Sequence, residues 1–182
     1  MIMPHRVLVF LALVGAVSCN QAITGLEAPS DPATETFAPS LGVNIASMTK
    51  LASGVYYADS IVGTGEADTT NTDSVFVNYT GRLKGGTQFD AGTNIRFVPA
   101  SLVAGVRLGL IGMKQGGKRK LVIPSALGYG SGAIKKTDGS ISIPRQATLV
   151  FDIELLKVHN PVVVAASALI APPSGLRAAA RH

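Results

Sequence analysis

The 182-residue chain predicts an α+β fold: a curved antiparallel β-sheet wrapped around one short α-helix. Three observations carry that expectation. The run Ala147 to Val158 alternates, with Leu149, Phe151, Ile153 and Leu155 on one face and Asp152 and Glu154 on the other. One sheet face is therefore dry and the other at least partly wet, as in antiparallel sheets. Strand-like segments dominate the middle of the chain. A single helical stripe (Leu102, Val103, Val106, Leu110) interrupts them, and a layer of sheet over helix is how such a set buries its apolar faces.

At the start, residues 7–17 form the apolar run VLVFLALVGAV behind His5 and Arg6. Eleven residues reach only about 16 Å as a helix, short of the roughly 20 residues a bilayer crossing needs. The run reads as a signal-peptide core, with residues 1–18 removed on export. Small residues Ala16-Val17-Ser18 stand directly before Cys19, the one cysteine of the chain. The segment resembles the lipobox of bacterial lipoproteins, which implies a mature N-terminus at an acylated Cys19 held in a lipid membrane. A plain signal peptide cut a few residues later is the alternative. Asn20 lacks the acidic inner-membrane retention signal, so the expected location is the outer membrane, facing the periplasm.

Residues 19–47 carry Pro29, Pro32 and Pro39 among Thr, Ser and Ala with no period of 2 or 3.6, and are expected to form a flexible tether. The folded domain is expected over 48–159. Within it Val55-Tyr56-Tyr57, Val75 to Thr80, Ile95 to Val98, Lys118 to Ile123 and Ala147 to Val158 read as strands. The helix is expected from about Ser101, capped by that serine after Pro99. Gly105 and Gly109 cost helix propensity but allow close approach to a sheet. Residues 131–142 read as a polar loop, and 160–182 as a loose Ala-rich tail.

Composition excludes several classes. Aromatic residues make up 5% with no Trp, too few for a nucleic-acid reader built on stacked rings. The net charge of +5 is densest at Lys114, Lys118, Arg119 and Lys120, a pattern common at a solvated edge. One Cys and three His cannot close a structural zinc site from those ligands. After export only His159 and His182 remain, no serine elbow with a partnered base is present, and no second carboxylate is spaced to pair with Asp90. The remaining candidates are Tyr79, Phe89, Asp90, Phe97, Val103, Tyr129, Ile143 and Phe151, a set able to line an apolar hollow with a few polar groups.

All of these but Phe97 and Val103 fall in ordered motifs: Gly54-Val55-Tyr56-Tyr57, Gly63-Thr64-Gly65, Val75 to Gly81, Gly86 to Asp90, Gly105, Gly109 and Met113 in the helix region, Leu121 to Pro124, Leu127-Gly128-Tyr129-Gly130, Ile143-Pro144 and Ala147 to Leu156. In order and spacing the chain resembles the FK506-binding type of peptidyl-prolyl cis/trans isomerase over nearly all of 50–158. The resemblance implies that Tyr79, Phe89, Asp90, Val103, Tyr129, Ile143 and Phe151 line a proline pocket, with Ile95, Phe97 and Leu102 at its walls. It implies that Ile143 offers its backbone N–H, and Tyr129 its hydroxyl, to substrate. Val106 stands where the family usually has a tryptophan floor, and Ile95 replaces an aromatic near the mouth, so a looser grip and lower turnover are expected. The implied partners are proline-containing polypeptide clients and macrolide inhibitors. No cofactor, metal or nucleic acid is implied, and a monomer is favoured. The alternative is a binding chaperone or scaffold of the same fold with little turnover.

Overall fold

The computed structural model describes residues 27–67, 74–98 and 101–159. Cys19, the leader, Pro99 and the tail 160–182 lie outside the described residues. Eight strands and one α-helix follow in order: β1 (Thr49–Lys50), β2 (Tyr56–Ile61), β3 (Ser74–Leu83), β4 (Gln88–Phe97), α1 (Ala104–Leu110), β5 (Lys118–Ile123), β6 (Ile134–Lys135), β7 (Ile141–Ile143) and β8 (Leu149–His159). Six strands make one sheet in the order β1-β2-β5-β8-β3-β4, antiparallel throughout, while β6 and β7 form a separate hairpin. The α+β expectation holds, with β8 central between β5 and β3.

The alternation of β8 decides what it buries. Leu149, Phe151, Ile153 and Leu155 are all 5% exposed or less and join Val75, Val77, Leu121 and Ile123 in the main core beneath α1. The two helix glycines explain how closely α1 can lie. A Cβ on Gly105 would stand 2.2 Å from Ile123 Cγ2, and one on Gly109 would stand 2.6 Å from Leu121 Cδ1. Only glycine lets the helix rest at this distance.

Helix α1 begins three residues later than the sequence suggests. Val103 occupies the capping position without a side-chain cap, because Ser101 Oγ turns back and donates to Val98 O at 2.8 Å. Strand β4 is continuous where the sequence reads only its ends. It bends through a register shift opposite Val77 and Tyr79, with Asn94 at φ 53° and its N–H donating to Asn78 Oδ1 at 2.9 Å. Residues 131–142 are a hairpin in part, since Ile134 pairs with Ile143 and Lys135 with Ile141.

Arg119 is not at a solvated edge. It is 7% exposed, its guanidinium donating to both Asp59 oxygens at 2.6 and 2.8 Å and to Gly109 O at 2.8 Å. The group also lies 4.3 Å from the centre of the Tyr57 ring. A buried charge persists only when paired and fully bonded, and here it ties β2, β5 and the end of α1 together.

The expected tether is corrected over 27–47. Three 3-10 turns (Pro32–Thr34, Pro39–Leu41, Ile45–Ser47) lay this segment on the sheet face opposite α1. Leu41 is 4% exposed there and forms a second cluster with Tyr56, Val122 and Val150, joined by Phe37, Ala38, Val43, Ile45 and Met48. Ala38 N–H donates to Lys84 O at 2.9 Å, and Lys84 pairs with Glu35 at 2.9 Å. The cause is burial of apolar surface: Val122 and Val150 point away from the main core and need a cover. The segment has no helix or strand period because it is built from short turns.

Candidate active site

Between the curl of β3–β4 and α1, aromatic rings gather. Tyr79 of β3 packs its ring 4.9 Å from Phe97 of β4 and 6.4 Å from Phe151 of β8. Phe89 of β4 meets Phe151 edge-on at 5.6 Å, a favoured arrangement for ring quadrupoles. Phe97, Val106, Ile143 and Phe151 are buried in one cluster, with Tyr79, Phe89, Leu102 and Val103 half-buried against it. Every expected lining residue in that list therefore belongs to a single apolar group. Val106, from the first turn of α1, is 2% exposed.

Two strand glycines, Gly81 at the end of the Val75 to Gly81 motif and Gly92 outside any motif, make room for the rings. A Cβ on Gly81 would come within 2.7 Å of Phe89 Cζ and 3.0 Å of Phe151 Cε1. One on Gly92 would meet Ile95 Cγ1 at 2.5 Å and Tyr79 Cε1 at 2.8 Å. Glycine inside a strand often marks such a close approach, and that signal was present in the sequence. The Gly92 contacts also place Ile95, 42% exposed, on the rim beside the Tyr79 ring.

The polar groups are few. The Tyr79 hydroxyl donates to Asp90 Oδ2 at 2.8 Å, and Asp90 Oδ1 accepts from Ala91 N–H at 2.9 Å. Burial, then the hydrogen bond to Asp90, then the charges of Asp90 and Tyr129 push the Tyr79 phenol up to about 12. Tyr129, 39% exposed between Gly128 and Gly130, is also raised, by burial first and then by the Asp90 charge. The Asp90 charge acts on both phenols, but only Tyr79 is bonded to it and packed against the aromatic cluster; Tyr129 is not among the cluster's side chains. Both phenols stay protonated at neutral pH and can donate hydrogen bonds. His159, exposed at the end of β8, is not part of this group. The arrangement suits binding and field effects rather than nucleophilic attack.

A groove of about 600 Å³ lies on the opposite sheet face beside residues 42–48, lined also by Tyr79, Ala91 and Gly92. Its charges satisfy one another: Lys118 with Glu154 at 3.3 Å, Arg82 with Asp152 at 3.0 Å, and Lys120 with Asp152. Asn78 Nδ2 donates to Glu154 Oε2 at 2.9 Å. The charges that line it are thus already paired, Arg119 with Asp59 included, and the aromatic cluster, with its Tyr79–Asp90 bond, is the better candidate.

Comparison with known proteins places the chain in a family. The chain is 38% identical over 117 residues to the FKBP-type peptidyl-prolyl cis-trans isomerase FkpA of Buchnera aphidicola, covering 62% of this chain and 44% of that protein. It is 45% identical over 93 residues to an FK506-binding protein of Neisseria meningitidis, covering 47% of this chain and 80% of the relative. Among solved structures it resembles a peptidyl-prolyl cis-trans isomerase of Pseudomonas syringae pv. tomato, with TM-score 0.56 and 34% identity, covering 62% of this chain and 81% of that one. FkpA of Escherichia coli gives TM-score 0.53 and 39% identity over 62% of this chain and 51% of its own. The chain thus spans less than half of the Buchnera relative. Residues 65–156, just over half of the chain and including every site residue named above, match the family model for the FKBP-type peptidyl-prolyl cis-trans isomerase, and the chain belongs to that family.

Proposed function

We propose that this chain accelerates cis/trans rotation of X–Pro bonds in exported polypeptides, without a covalent step, in the hollow between Tyr79, Phe89, Val103, Tyr129, Ile143 and Phe151. The observation that carries the reading is the meeting of an apolar ring cluster with a Tyr79–Asp90 pair 2.8 Å apart at its edge.

The barrier to peptide rotation is about 18–20 kcal/mol, because the twisted amide loses resonance. Uncatalysed X–Pro exchange takes tens to hundreds of seconds. A site speeds it by holding the twisted amide more tightly than either planar isomer. Phe89, Phe97 and Phe151 take the pyrrolidine ring out of water, and the carbonyl then loses the solvent hydrogen bonds that favour the planar, charge-separated form. The Tyr129 hydroxyl and the Ile143 N–H donate instead to the substrate carbonyl that precedes the X–Pro unit. Asp90 holds the Tyr79 ring from the exposed rim and contributes a fixed negative charge at the mouth of the hollow. Val106 gives the ring a shallow aliphatic floor, so turnover is lower than an aromatic floor would allow.

The same proposal places the domain in the periplasm on a lipid anchor. Its support is the sequence alone: the short apolar run 7–17 and the single Cys19 behind small residues. Mass spectrometry of the membrane fraction tests it through the mass of the acylated Cys19 peptide. A Cys19→Ala chain is expected in the soluble fraction.

Proline-limited refolding of a test protein checks the activity. A faster slow phase supports isomerisation. Suppressed aggregation with an unchanged slow phase supports a chaperone that holds proline segments without turning them over. The chain used must keep residues 27–47, since a start at residue 45 would uncover Val122 and Val150.

A further inference from the structure

Tyr129 is itself 39% exposed, yet both of its neighbours are fixed to one residue. Gly128 N–H and Gly130 N–H each donate to Ser125 O at 2.9 Å. Ser125 is fully buried, and the rest of its bonding groups run to two distant segments. Its Oγ accepts from Ser30 N–H at 2.9 Å, and its N–H donates to Ser30 Oγ at 2.7 Å. Its hydroxyl proton goes to Gln146 Oε1 at 2.8 Å.

Gln146 completes the loop of bonds. Its N–H donates to Gly130 O at 2.8 Å, and its Nε2 donates to Glu27 O at 3.0 Å. It is held at φ 50°, a conformation that non-glycine residues adopt at a cost. Side-chain bonds on both amide atoms are what keep it there. A reciprocal serine pair, a strained glutamine and two glycine amides thus clasp the Tyr129 loop to residues 27–30, some 95 positions away in the chain.

We propose that Ser30, Ser125 and Gln146 are positioning residues for Tyr129, so that the N-terminal segment is a working part of the catalytic site and not a spacer. The proposal rests on the reading that Tyr129 faces substrate. A donor must stand within a few tenths of an ångström of its acceptor to be effective, and loops hold such geometry only when a supporting shell fixes them. Ser125 and Gln146 supply that shell from the domain, and Ser30 supplies it from the segment before it.

The test uses the full chain with Ser30→Ala, which leaves Ser125 N–H without its acceptor, and Ser30→Thr, which keeps the hydroxyl. Gln146→Gly relieves the strained backbone while removing both side-chain bonds. Three quantities are read: kcat/KM on an X–Pro peptide, the ultraviolet titration of Tyr129 (identified by its loss in Tyr129→Phe), and the melting temperature. The expected result is a fall of about threefold to tenfold in kcat/KM for Ser30→Ala and Gln146→Gly, with Tyr129 titrating closer to an ordinary tyrosine. Ser30→Thr restores both. In a Tyr129→Phe background, Ser30→Ala has no further effect on rate.

A lower melting temperature with unchanged Tyr129 titration would overturn the proposal and leave the clasp as a stabilising contact only. So would a Ser30→Ala loss of rate that persists in full in Tyr129→Phe. If the wild-type chain itself leaves X–Pro exchange uncatalysed, the functional reading fails instead, and the titration alone still decides whether the clasp places Tyr129.

Discussion

The Tyr79 hydroxyl donates to Asp90 across 2.8 Å, joining the middle of β3 to the start of β4 at the mouth of the ring cluster. That bond and the burial of the phenol hold its proton up to about 12. A proton held more tightly in the folded state stabilises the fold fully below the ordinary tyrosine value near 10. The contribution is lost as pH rises toward the folded value. Phenolate absorbance titration is expected to show two tyrosines above the ordinary value, the later one absent in Tyr79→Phe and the other in Tyr129→Phe, with stability falling over that same alkaline window. A Tyr79 that titrates at the ordinary tyrosine value near 10 would mean that the bond to Asp90 is not kept in solution.

Gly105→Ala sets two effects against each other. Alanine favours a helix by about 1 kcal/mol over glycine, but its methyl would stand 2.2 Å from Ile123 Cγ2. Overpacking of that kind costs about 1–3 kcal/mol. The clash wins: chemical denaturation is expected to give a less stable protein. Isomerase rate should fall too, because α1 carries Val106.

Leu41→Ala tests the packing of the N-terminal segment. Leu41 is 4% exposed over Val122 and Val150, and truncating a buried leucine costs about 2–5 kcal/mol. The melting temperature is expected to fall while peptide isomerisation by the remaining folded protein stays near wild type, since this cluster lies on the far face of the sheet. No change in melting would mean that the segment does not pack.

Arg119→Ala removes a guanidinium that serves both Asp59 oxygens and Gly109 O. Breaking a buried pair from one side costs about 3–5 kcal/mol. Arg119→Lys cannot reproduce the fork and is expected to be destabilised as well, as read from denaturation midpoints.

Much of the fold was legible because burial writes a period into sequence. The alternation of Leu149, Phe151, Ile153 and Leu155 gave the central strand, and the spacing of Gly105 and Gly109 foretold a helix pressed on a sheet. Phe89, Ile143 and Phe151 were named together because their motifs are ordered along the chain, and the structure gathers them in one cluster with Phe97 and Val106. What escaped had no period. Residues 27–47 bury Leu41 through short turns, Ser101 bonds backward rather than capping, and β4 bends at Asn94 to stay one strand. Arg119 looked like part of a basic edge because a sequence does not show that Asp59, on another strand, stands opposite. The clasp of Ser30, Ser125 and Gln146 is non-local in the same way.

The most direct measurement is the cis-to-trans exchange rate of an X–Pro peptide, followed by magnetisation exchange with wild-type, Tyr79→Phe and Asp90→Ala protein at equal folded concentration. Asp90 is exposed at the rim, so its loss should leave the fold intact. Wild-type protein is expected to speed exchange well beyond the uncatalysed rate, with Asp90→Ala removing most of that gain and Tyr79→Phe part of it. Equal acceleration by all three proteins, or none by wild type, would contradict the assignment of X–Pro rotation to this hollow.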